Sequence, residues 1–403
     1  MKKGVRRYVG MDVGSSKTIC MVGEESEKGL KIIGKGEVKT NGFRDGVVVD
    51  FASAVKTIKE AVRSARVYTE EEIENVAVTL GGTHVEQISV TVEIPISKKS
   101  ITKDDIHRLI ESAREEAKKR IKDQEKIIIH STPYRFLVNG DTEVVNPEEM
   151  DADRLTAEVN VYVGDRNKIE NFKKAFYEAG VNITAVFIPH YAMGMGVFNS
   201  EFREQVIGVI DLGHSLLKGV VFRNGKIEKI FTFLAGVQYI TKDIGAVFRL
   251  KQQDAERLKK HGVALPSKIT DPDSTVEARA LNGSIRSFPA VILSEIISAR
   301  QEEILRLVWD NMKSSPSFSS IKHVYLIGGG AKLKYVKELA EEIFSVDVTI
   351  GRPTGVTSID NGVLGPEYVQ VVGVIKALYS RGSGPERKSF FGKVGIALKK
   401  MFA

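Results

Sequence analysis

Two short stretches of the chain share one arrangement of an aspartate, a glycine and small polar residues. In each, an apolar run leads to the aspartate, the glycine permits a tight turn, and a second apolar run returns. Hydroxyls and backbone N–H groups in such a turn can hold a phosphate. One copy is equally typical of an ordinary hairpin, but two copies predict a pair of turns that close on one polyphosphate. The first stretch contributes Asp12, Gly14, Ser15, Ser16 and Lys17, and the second contributes Asp211, Gly213, His214 and Ser215.

The composition limits the class of protein. The chain has 403 residues, 42% hydrophobic and 28% charged, which predicts a globular protein of two or more domains. Its one cysteine, Cys20, excludes a disulfide framework and a multi-cysteine metal site. No stretch reaches the roughly 18 apolar residues of a membrane-spanning helix. The net charge of +7 comes without the basic and aromatic platform typical of nucleic-acid binding. We therefore expect a cytoplasmic protein with no nucleic-acid partner.

Hydrophobic periodicity divides most of the chain into alternating strands and helices. Between residues 84 and 162 the pattern changes to long alternating strands around a charged helix, which predicts a small inserted α+β module. A glycine-bearing helix that begins at Pro189 is predicted to pack closely against another helix. The second half begins near Val206 and repeats the strand, hairpin and strand order of the first half.

Two further groups could contact a ligand. One is Glu256, Lys259 and Lys260, which share a face of a predicted helix, although a solvated salt-bridge face has the same pattern. The other follows a buried strand and precedes a helix predicted at 333–344. A glycine-rich turn there lets a flat or anionic ligand approach bare backbone at a helix N-terminus, although close packing also uses such turns. Its residues are Gly328, Gly329, Gly330 and Lys332.

The order of these features resembles the actin, Hsp70 and sugar-kinase superfamily of ATP-binding proteins over nearly the whole chain. Within it, the chain most resembles the FtsA family of bacterial cell-division proteins. The resemblance is carried by the place of the inserted module and by segments 145–155 (VNPEEMDADRL), 255–265 (AERLKKHGVAL), 350–353 (IGRP) and 365–373 (GPEYVQVVG). It implies an α/β, actin-like (ribonuclease-H-like) duplicated fold with an inserted small α+β subdomain and a C-terminal amphipathic helix.

The resemblance also implies a division into subdomains. The first actin-like subdomain takes residues 1–83 and 163–199, and the inserted subdomain takes 84–162. The second half divides into 200–243 with 319–379, and a smaller subdomain at 244–318. A linker at 380–389 leads to a membrane-targeting helix at 390–403.

Roles for the polar residues follow from the same resemblance. The two turns bind the phosphates of ATP, and Asp12 and Asp211 face a Mg²⁺ ion, which needs only one or two carboxylates beside the phosphates. Glu256, Lys259 and Lys260 fall where the superfamily contacts ribose and adenine. The glycines at 328–330 and Lys332 line the other wall of the base. No residue stands out as a catalytic base, so we expect ATP binding with at most slow hydrolysis.

The end of the chain has the composition of a linker followed by an amphipathic helix. Thirteen residues form a helix of about 20 Å, too short to cross a bilayer. A helix docked on its own core remains the alternative, but the linker, the aromatic residues and the basic flank favour an anchor that lies on the membrane surface. The apolar stripe is Phe390, Phe391, Val394, Leu398, Met401 and Phe402, and Lys393, Lys399 and Lys400 lie outside it.

The expected protein is an ATP-binding, actin-like adaptor that polymerises and tethers the FtsZ ring to the cytoplasmic face of the bacterial inner membrane at the septum. Its expected partners are the FtsZ C-terminal tail, its own copies, lipid and other division proteins. Arg300, on a predicted helix at 294–312, is expected to contact the acidic tail. An adaptor of type IV pilus assembly and a small-molecule kinase are the alternatives, and the terminal anchor discriminates against both.

Overall fold

The computed structural model describes residues 6–27, 29–67, 69, 72–123, 125–198, 205–358 and 362–382. The predicted membrane helix at 390–403, with all nine of its named residues, lies outside the described residues. The predicted linker lies outside them from residue 383 onward. Within the described ranges, no helix is both long and apolar enough to cross a membrane.

Strands and helices alternate along the described chain, with four short 3-10 turns. The strands are β1 (Arg7–Val13), β2 (Lys17–Ser26), β3 (Gly29–Lys39), β4 (Phe43–Arg44), β5 (Val47–Val48), β6 (Asn75–Thr79), β7 (Val85–Pro95), β8 (Lys126–Val138), β9 (Thr142–Val144), β10 (Arg154–Asp165), β11 (Asn182–Phe187), β12 (Val206–Leu212), β13 (Leu217–Arg223), β14 (Lys226–Phe233), β15 (Thr275–Arg279), β16 (Ile285–Pro289), β17 (His323–Ile327), β18 (Asp347–Ile350) and β19 (Val356–Ser358). The helices are α1 (Phe51–Arg66), α2 (Lys103–Arg120), α3 (Arg166–Glu178), α4 (Pro189–Val197), α5 (Gln238–Phe248), α6 (Gln252–His261), α7 (Ala290–Met312), α8 (Val336–Phe344) and α9 (Val369–Gly382).

The first lobe is built on a six-stranded sheet with the order β11-β6-β1-β2-β3-β19. β1, β2 and β3 are antiparallel neighbours, whereas β6 and β11 run parallel to β1. The side chain of Asp50 caps the first turn of α1, which buries Ile58 and its apolar stripe on the sheet. Helix α9 contributes Val371, Val372 and Ile375 to a second apolar cluster with β2 and β3.

The second lobe repeats this arrangement in a five-stranded sheet with the order β14-β13-β12-β17-β18. The antiparallel hairpin of β12 and β13 corresponds to that of β1 and β2. The parallel strands β17 and β18 correspond to β6 and β11. The predicted duplication is therefore confirmed. Helices α5 and α6, the hairpin of β15 and β16, and the N-terminal part of α7 form a smaller region beside this sheet.

The inserted module forms its own four-stranded sheet, β7-β10-β8-β9, with α2 packed against it. A capping box between Thr102 and Asp105 starts α2. Leu109, Phe136 and Leu155 belong to an apolar core separate from those of the two lobes. The prediction of a small α+β module is confirmed, although β10 continues to Asp165, three residues beyond the expected boundary.

The last part of the second half differs from the predicted subdomain boundaries. β19 pairs with β3 of the first sheet, and α9 packs against β1, β2 and β6. The chain therefore returns to the first lobe by residue 356, whereas the sequence assigned residues 319–379 to the second. A three-residue strand is too short to show a hydrophobic period. The boundary expected at 243 lies inside α5, and the linker expected from 380 begins inside α9.

Helices α4 and α9 cross at glycines. A Cβ at Gly196 would lie 2.2 Å from the carbonyl oxygen of Val369, and one at Gly373 would lie 1.9 Å from that of Ala192. The backbones approach more closely than any larger residue permits. This confirms the close helix packing predicted from the glycines that follow Pro189.

Candidate functional site

The two Asp-x-Gly hairpins face each other across a cleft of about 580 Å³ between the lobes. The hydroxyl of Ser215 donates a hydrogen bond to the Ser15 hydroxyl at 2.5 Å, so the two turns touch. In the first turn the N–H of Gly14 donates to the carbonyl of Lys17, which closes the hairpin at 3.0 Å. The volume lies within the range of roughly 300–1,000 Å³ typical of small-molecule sites.

All sixteen residues that the sequence analysis assigned to a nucleotide line this cleft. They come from both hairpins, from α6 and from the glycine-rich turn after β17, elements far apart in the chain. Convergence on one cavity is therefore a property of the fold rather than of local sequence. The residues are Asp12, Gly14, Ser15, Ser16, Lys17, Asp211, Gly213, His214, Ser215, Glu256, Lys259, Lys260, Gly328, Gly329, Gly330 and Lys332.

One wall of the cleft is organised by an ion pair on α6. Lys259 and Glu256 lie 2.7 Å apart, and Thr241 donates to the same carboxylate at 2.6 Å. Burial opposes ionisation of Glu256, but these two donors hold its pKa below the usual value. Burial also lowers the pKa of His214, which faces this wall from the second turn. The pair fixes both side chains where the sequence predicted ribose and base contacts.

The glycine-rich turn forms the opposite wall, but not at a helix N-terminus as predicted. Gly329–Lys332 is a 3-10 turn, and α8 begins only at Val336 after a left-handed residue. Gly328 has φ +84, and a Cβ there would lie 2.1 Å from Oδ1 of Asp211, so only glycine fits. A Cβ at Gly329, in contrast, meets no heavy atom within 4 Å. Lys332 pairs with Glu367 at 2.8 Å on this wall.

A buried lysine between the two aspartates was missed by the sequence analysis. Lys218 Nζ lies 2.7 Å from Asp211 Oδ2, and the two residues face each other across the β12–β13 hairpin. Burial acts to lower the pKa of Lys218, but Asp211 and Asp12 outweigh it and the pKa is raised. Burial also raises the pKa of Asp12, against the opposing effect of Lys218. A lysine seven residues after Asp211, inside an apolar strand, was the sequence signal for this contact.

Two more polar residues fix the aspartates. Thr79, at the end of β6, donates to Oδ1 of Asp12 at 2.5 Å. Gln370 of α9 donates to Oδ2 of Asp211 at 3.0 Å, which joins the first lobe to the second. Neither residue belongs to a local motif, so no sequence pattern near the hairpins indicated them.

The expected Mg²⁺ site does not fit these contacts. Asp211 Oδ2 already accepts from an ammonium and an amide, and Oδ1 packs beside Gly328. Mg²⁺ demands near-octahedral oxygen ligands, and an ammonium at 2.7 Å repels a second cation from the same carboxylate. The residues therefore do not fit a metal held by Asp12 and Asp211 together.

Gln301 was also missed. It lies on the buried stripe of α7, has no exposed surface and lines the cleft. Neither its amide nitrogen nor its amide oxygen has a hydrogen-bond partner among the described residues. A buried amide without partners is costly, so Gln301 is a candidate contact for a bound molecule.

Arg300, the expected contact for an acidic tail, does not line the cleft and is paired locally. Its guanidinium donates to both oxygens of Asp243 on α5, at 2.6 and 3.3 Å, and also to Glu303. Hydrogen bonds to Asp243 raise the pKa of the Arg300 guanidinium. Within the described residues Arg300 is therefore engaged by two carboxylates of its own chain, and its contact with a partner stays a prediction.

Comparison with solved structures shows which known fold the chain shares. It superposes on a solved PilM–PilN type IV pilus biogenesis complex with a TM-score of 0.68 and 17% identity, over 94% of this chain and 99% of that one. It also superposes on MreB5 of Spiroplasma citri bound to ADP, with a TM-score of 0.56 and 12% identity, over 91% and 94% of the two chains. Together with the duplicated sheets, these likenesses define the class, an actin-like fold.

Sequence comparison identifies the family. Family models described as "Cell division protein FtsA" and "SHS2 domain inserted in FTSA" match residues 208–373 and 82–163. The chain is 30% identical to cell division protein FtsA of Streptococcus pneumoniae serotype 2 over 368 residues, 91% of this chain and 78% of that protein. It is 26% identical to the FtsA of Escherichia coli K12, over 98% of this chain and 96% of that one. The chain belongs to the FtsA family of actin-like cell-division proteins.

Proposed function

We propose that the cleft binds ATP. The observation that carries this proposal is the Ser15–Ser215 contact, which brings two phosphate-type turns from the two lobes to one cavity. Glu256, Lys259 and Gly329 supply walls suited to a sugar and a flat base. MreB5 of Spiroplasma citri, whose fold is the same, was solved bound to ADP.

Hydrolysis is proposed to be slow. A carboxylate that serves as the general base must be free to accept a proton from water. Among the described residues, all four carboxylates that line the cleft already accept hydrogen bonds. They are Asp12 from Thr79, Asp211 from Lys218, Glu256 from Lys259 and Glu367 from Lys332.

The substitution Gly329→Leu tests nucleotide binding. A side chain at this position starts in open space, so it leaves the fold intact and fills the part of the cleft assigned to the base. Titration calorimetry is expected to show ATP affinity reduced more than about tenfold, or 1.4 kcal/mol. Gly362→Leu is the control, because that exposed glycine also has no heavy atom within 4 Å of a Cβ. Equal affinity of both variants would remove the cleft as the ATP site.

We further propose that the protein is a membrane adaptor that tethers FtsZ. The apolar stripe at 390–402 has lysines beside it, which suits a helix lying on an anionic surface. A single short helix of this kind binds reversibly, and linking copies in a polymer multiplies affinity by about 10²–10⁴. Polymerisation would then control attachment to the inner membrane at the septum.

Vesicle co-sedimentation tests the anchor. Deleting residues 389–403 is expected to abolish binding to anionic vesicles while leaving ATP affinity and the melting temperature unchanged. The paired substitutions Phe391→Glu and Leu398→Glu should do nearly the same, because they place charge in the apolar stripe. Vesicle binding by the truncated chain would contradict the anchor, and loss of folding would indicate a helix docked on the core.

The acidic tail of FtsZ remains the proposed protein partner, tested by pulldown with the full chain. Arg300→Glu would place a carboxylate beside Asp243 and Glu303, so lost binding alone could report a disturbed α5–α7 contact. Asp243→Asn is the matched control, because it breaks the same pair and leaves the arginine charge. If Arg300→Glu loses binding of the tail and Asp243→Asn keeps it, Arg300 contacts the tail. If Arg300→Glu binds the tail as tightly as the wild type, the contact lies elsewhere.

A further inference from the structure

The phosphate end of the cleft already contains a fixed cation. Lys218 is 12% exposed and Asp211 is 2% exposed, with 2.7 Å between ammonium and carboxylate. The ammonium also acts electrostatically on Asp12 of the opposite lobe. The charge therefore lies between the aspartates of the two hairpins, at the place where the sequence predicted a metal ion.

The two hairpins differ at this point. In the first, the residue paired across the strands with Asp12 is Ile19, which is buried. In the second, the residue paired with Asp211 is Lys218. The two hairpins thus place Asp12, Asp211 and Lys218 on the lining of the same cleft.

We propose that the Lys218 ammonium takes the place of a divalent cation in this cleft, so that ATP binds without a metal ion held by the protein. The proposal rests on the proposed ATP binding and goes beyond it by naming the source of positive charge at the phosphates. Lys218 neutralises Asp211, and its remaining N–H groups donate to the bound phosphate.

The first test compares ATP affinity of the wild-type chain in excess Mg²⁺ and in excess EDTA by calorimetry. We expect the two dissociation constants to differ by less than about tenfold. A larger loss in EDTA overturns the proposal and leaves ATP binding itself intact. Absence of binding under both conditions would instead contradict the proposed function and remove both proposals.

The second test uses Lys218→Met, which keeps the length of the side chain and removes its charge. Asp12 and Asp211 then face each other without a counter-ion, so we expect ATP affinity to fall more than about tenfold in EDTA and to recover in Mg²⁺. Mg²⁺ alone should also raise the melting temperature of this variant and not that of the wild type. A variant insensitive to Mg²⁺ in both measurements contradicts the proposal.

The double variant Lys218→Met with Asp211→Asn guards against misfolding, because it removes both members of the ion pair and leaves no unpaired charge at position 211. Because the ammonium is absent, we expect its ATP affinity in EDTA to stay at least about tenfold below that of the wild type. If the double variant binds ATP as tightly as the wild type in EDTA, Lys218 serves only Asp211 and the proposal is overturned.

Discussion

Three of the lysines that line the cleft are held by carboxylates before any ligand arrives. Lys218 pairs with Asp211, Lys259 with Glu256, and Lys332 with Glu367. Such pairs fix the side chains and limit the field that an approaching phosphate experiences. Backbone N–H groups of the turns and groups without partners among the described residues, such as Gln301, can add to the affinity for a nucleotide.

Gln301 provides a residue-scale prediction. Replacing it by leucine removes a buried amide that has no partner, which should stabilise the ligand-free protein by about 1–3 kcal/mol. If a bound nucleotide supplies the missing hydrogen bonds, Gln301→Leu should at the same time weaken ATP binding by about tenfold. Thermal melts and calorimetry on one preparation measure both effects.

Gln253→Leu is the control, because this amide is exposed on α6 outside the cleft. It should leave both quantities nearly unchanged. A Gln301 variant that gains stability and keeps its ATP affinity would show that the amide does not contact the ligand.

His84 provides a prediction about pH. It is 8% exposed, has no partner for either ring nitrogen among the described residues, and burial lowers its pKa from 6.5 to about 4. The unfolded chain therefore takes up a proton first as the pH falls. Stability is fully present above pH 6.5 and decreases toward pH 4, by about 3 kcal/mol from this residue.

Denaturant melts at several pH values are the measurement for His84. His84→Phe should reduce the loss of stability between pH 6.5 and 4, since it removes the titrating group. His107→Phe, at an exposed position of α2, should keep the wild-type slope. Equal slopes for all three chains would mean that His84 has an ordinary pKa in the folded state.

Sequence predicted the cleft residues that follow turns and helix faces, because those signals are local. Asp12, Gly213 and Glu256 each belong to a short pattern that can be interpreted without the fold. Gln370 and Gln301 belong to none, because their places depend on how distant helices pack. Lys218 is intermediate. Its spacing from Asp211 is local, but only the strand register shows that the two residues pair across the hairpin.

At the scale of elements, the α4–α9 contact holds the first lobe together. A Cβ at Gly373 would overlap the carbonyl oxygen of Ala192 at 1.9 Å. Gly373→Ala must therefore push the helices apart, and we expect a loss of about 1–3 kcal/mol in the free energy of unfolding. Urea melts measure it.

Gly245→Ala is the matched control for this prediction. The residue is also inside a helix, but the nearest heavy atom to a Cβ is 3.5 Å away, an ordinary contact. Alanine should stabilise α5 there by about 0.5–1 kcal/mol, because glycine is the poorer helix former. Opposite signs for two Gly→Ala changes would identify packing as the cause, and a neutral Gly373→Ala would contradict the close approach.

The main helices and strands were predictable from periodicity, whereas short connections were not. The apolar residues of α1 (Phe51–Arg66) and α2 (Lys103–Arg120) recur with a helical period. The predicted helix at 333–344 instead starts at Val336, because a 3-10 turn and a left-handed Tyr335 precede it. Likewise, the position of β19 depends on its pairing with β3, which no local sequence pattern indicates.

At the scale of the whole molecule, side chains join the two lobes both inside and outside the cleft. Inside the cleft, Ser215 reaches Ser15 and Gln370 reaches Asp211. Outside it, the inserted module, which belongs to the first lobe by connectivity, covers the edge strand β14 of the second. Arg223 also pairs with Glu143 of the module at 3.0 Å.

Two amide side chains of the inserted module form hydrogen bonds with the backbone of β14. Gln87 donates to the carbonyl of Glu228 at 2.9 Å and accepts from the N–H of Ile230 at 3.0 Å. Asn160, fully buried, donates to the carbonyl of Ile227 at 2.8 Å. These side chains form hydrogen bonds with backbone groups of the edge strand β14 that would otherwise be unpaired. The module therefore acts as a clamp between the lobes.

The clamp supplies the last prediction. Gln87→Ala removes the acceptor of the Ile230 amide, so its hydrogen exchange should accelerate in the variant, whereas residues of β12 in the sheet centre should keep their protection. Adding Asn160→Ala should lower the free energy of unfolding by about 1–3 kcal/mol, since buried backbone carbonyls lose their donors. Thr91→Ala, exposed on the same strand β7, is the control and should change neither quantity. Unchanged exchange at Ile230 in the Gln87 variant would show that the module rests beside β14 without restraining it.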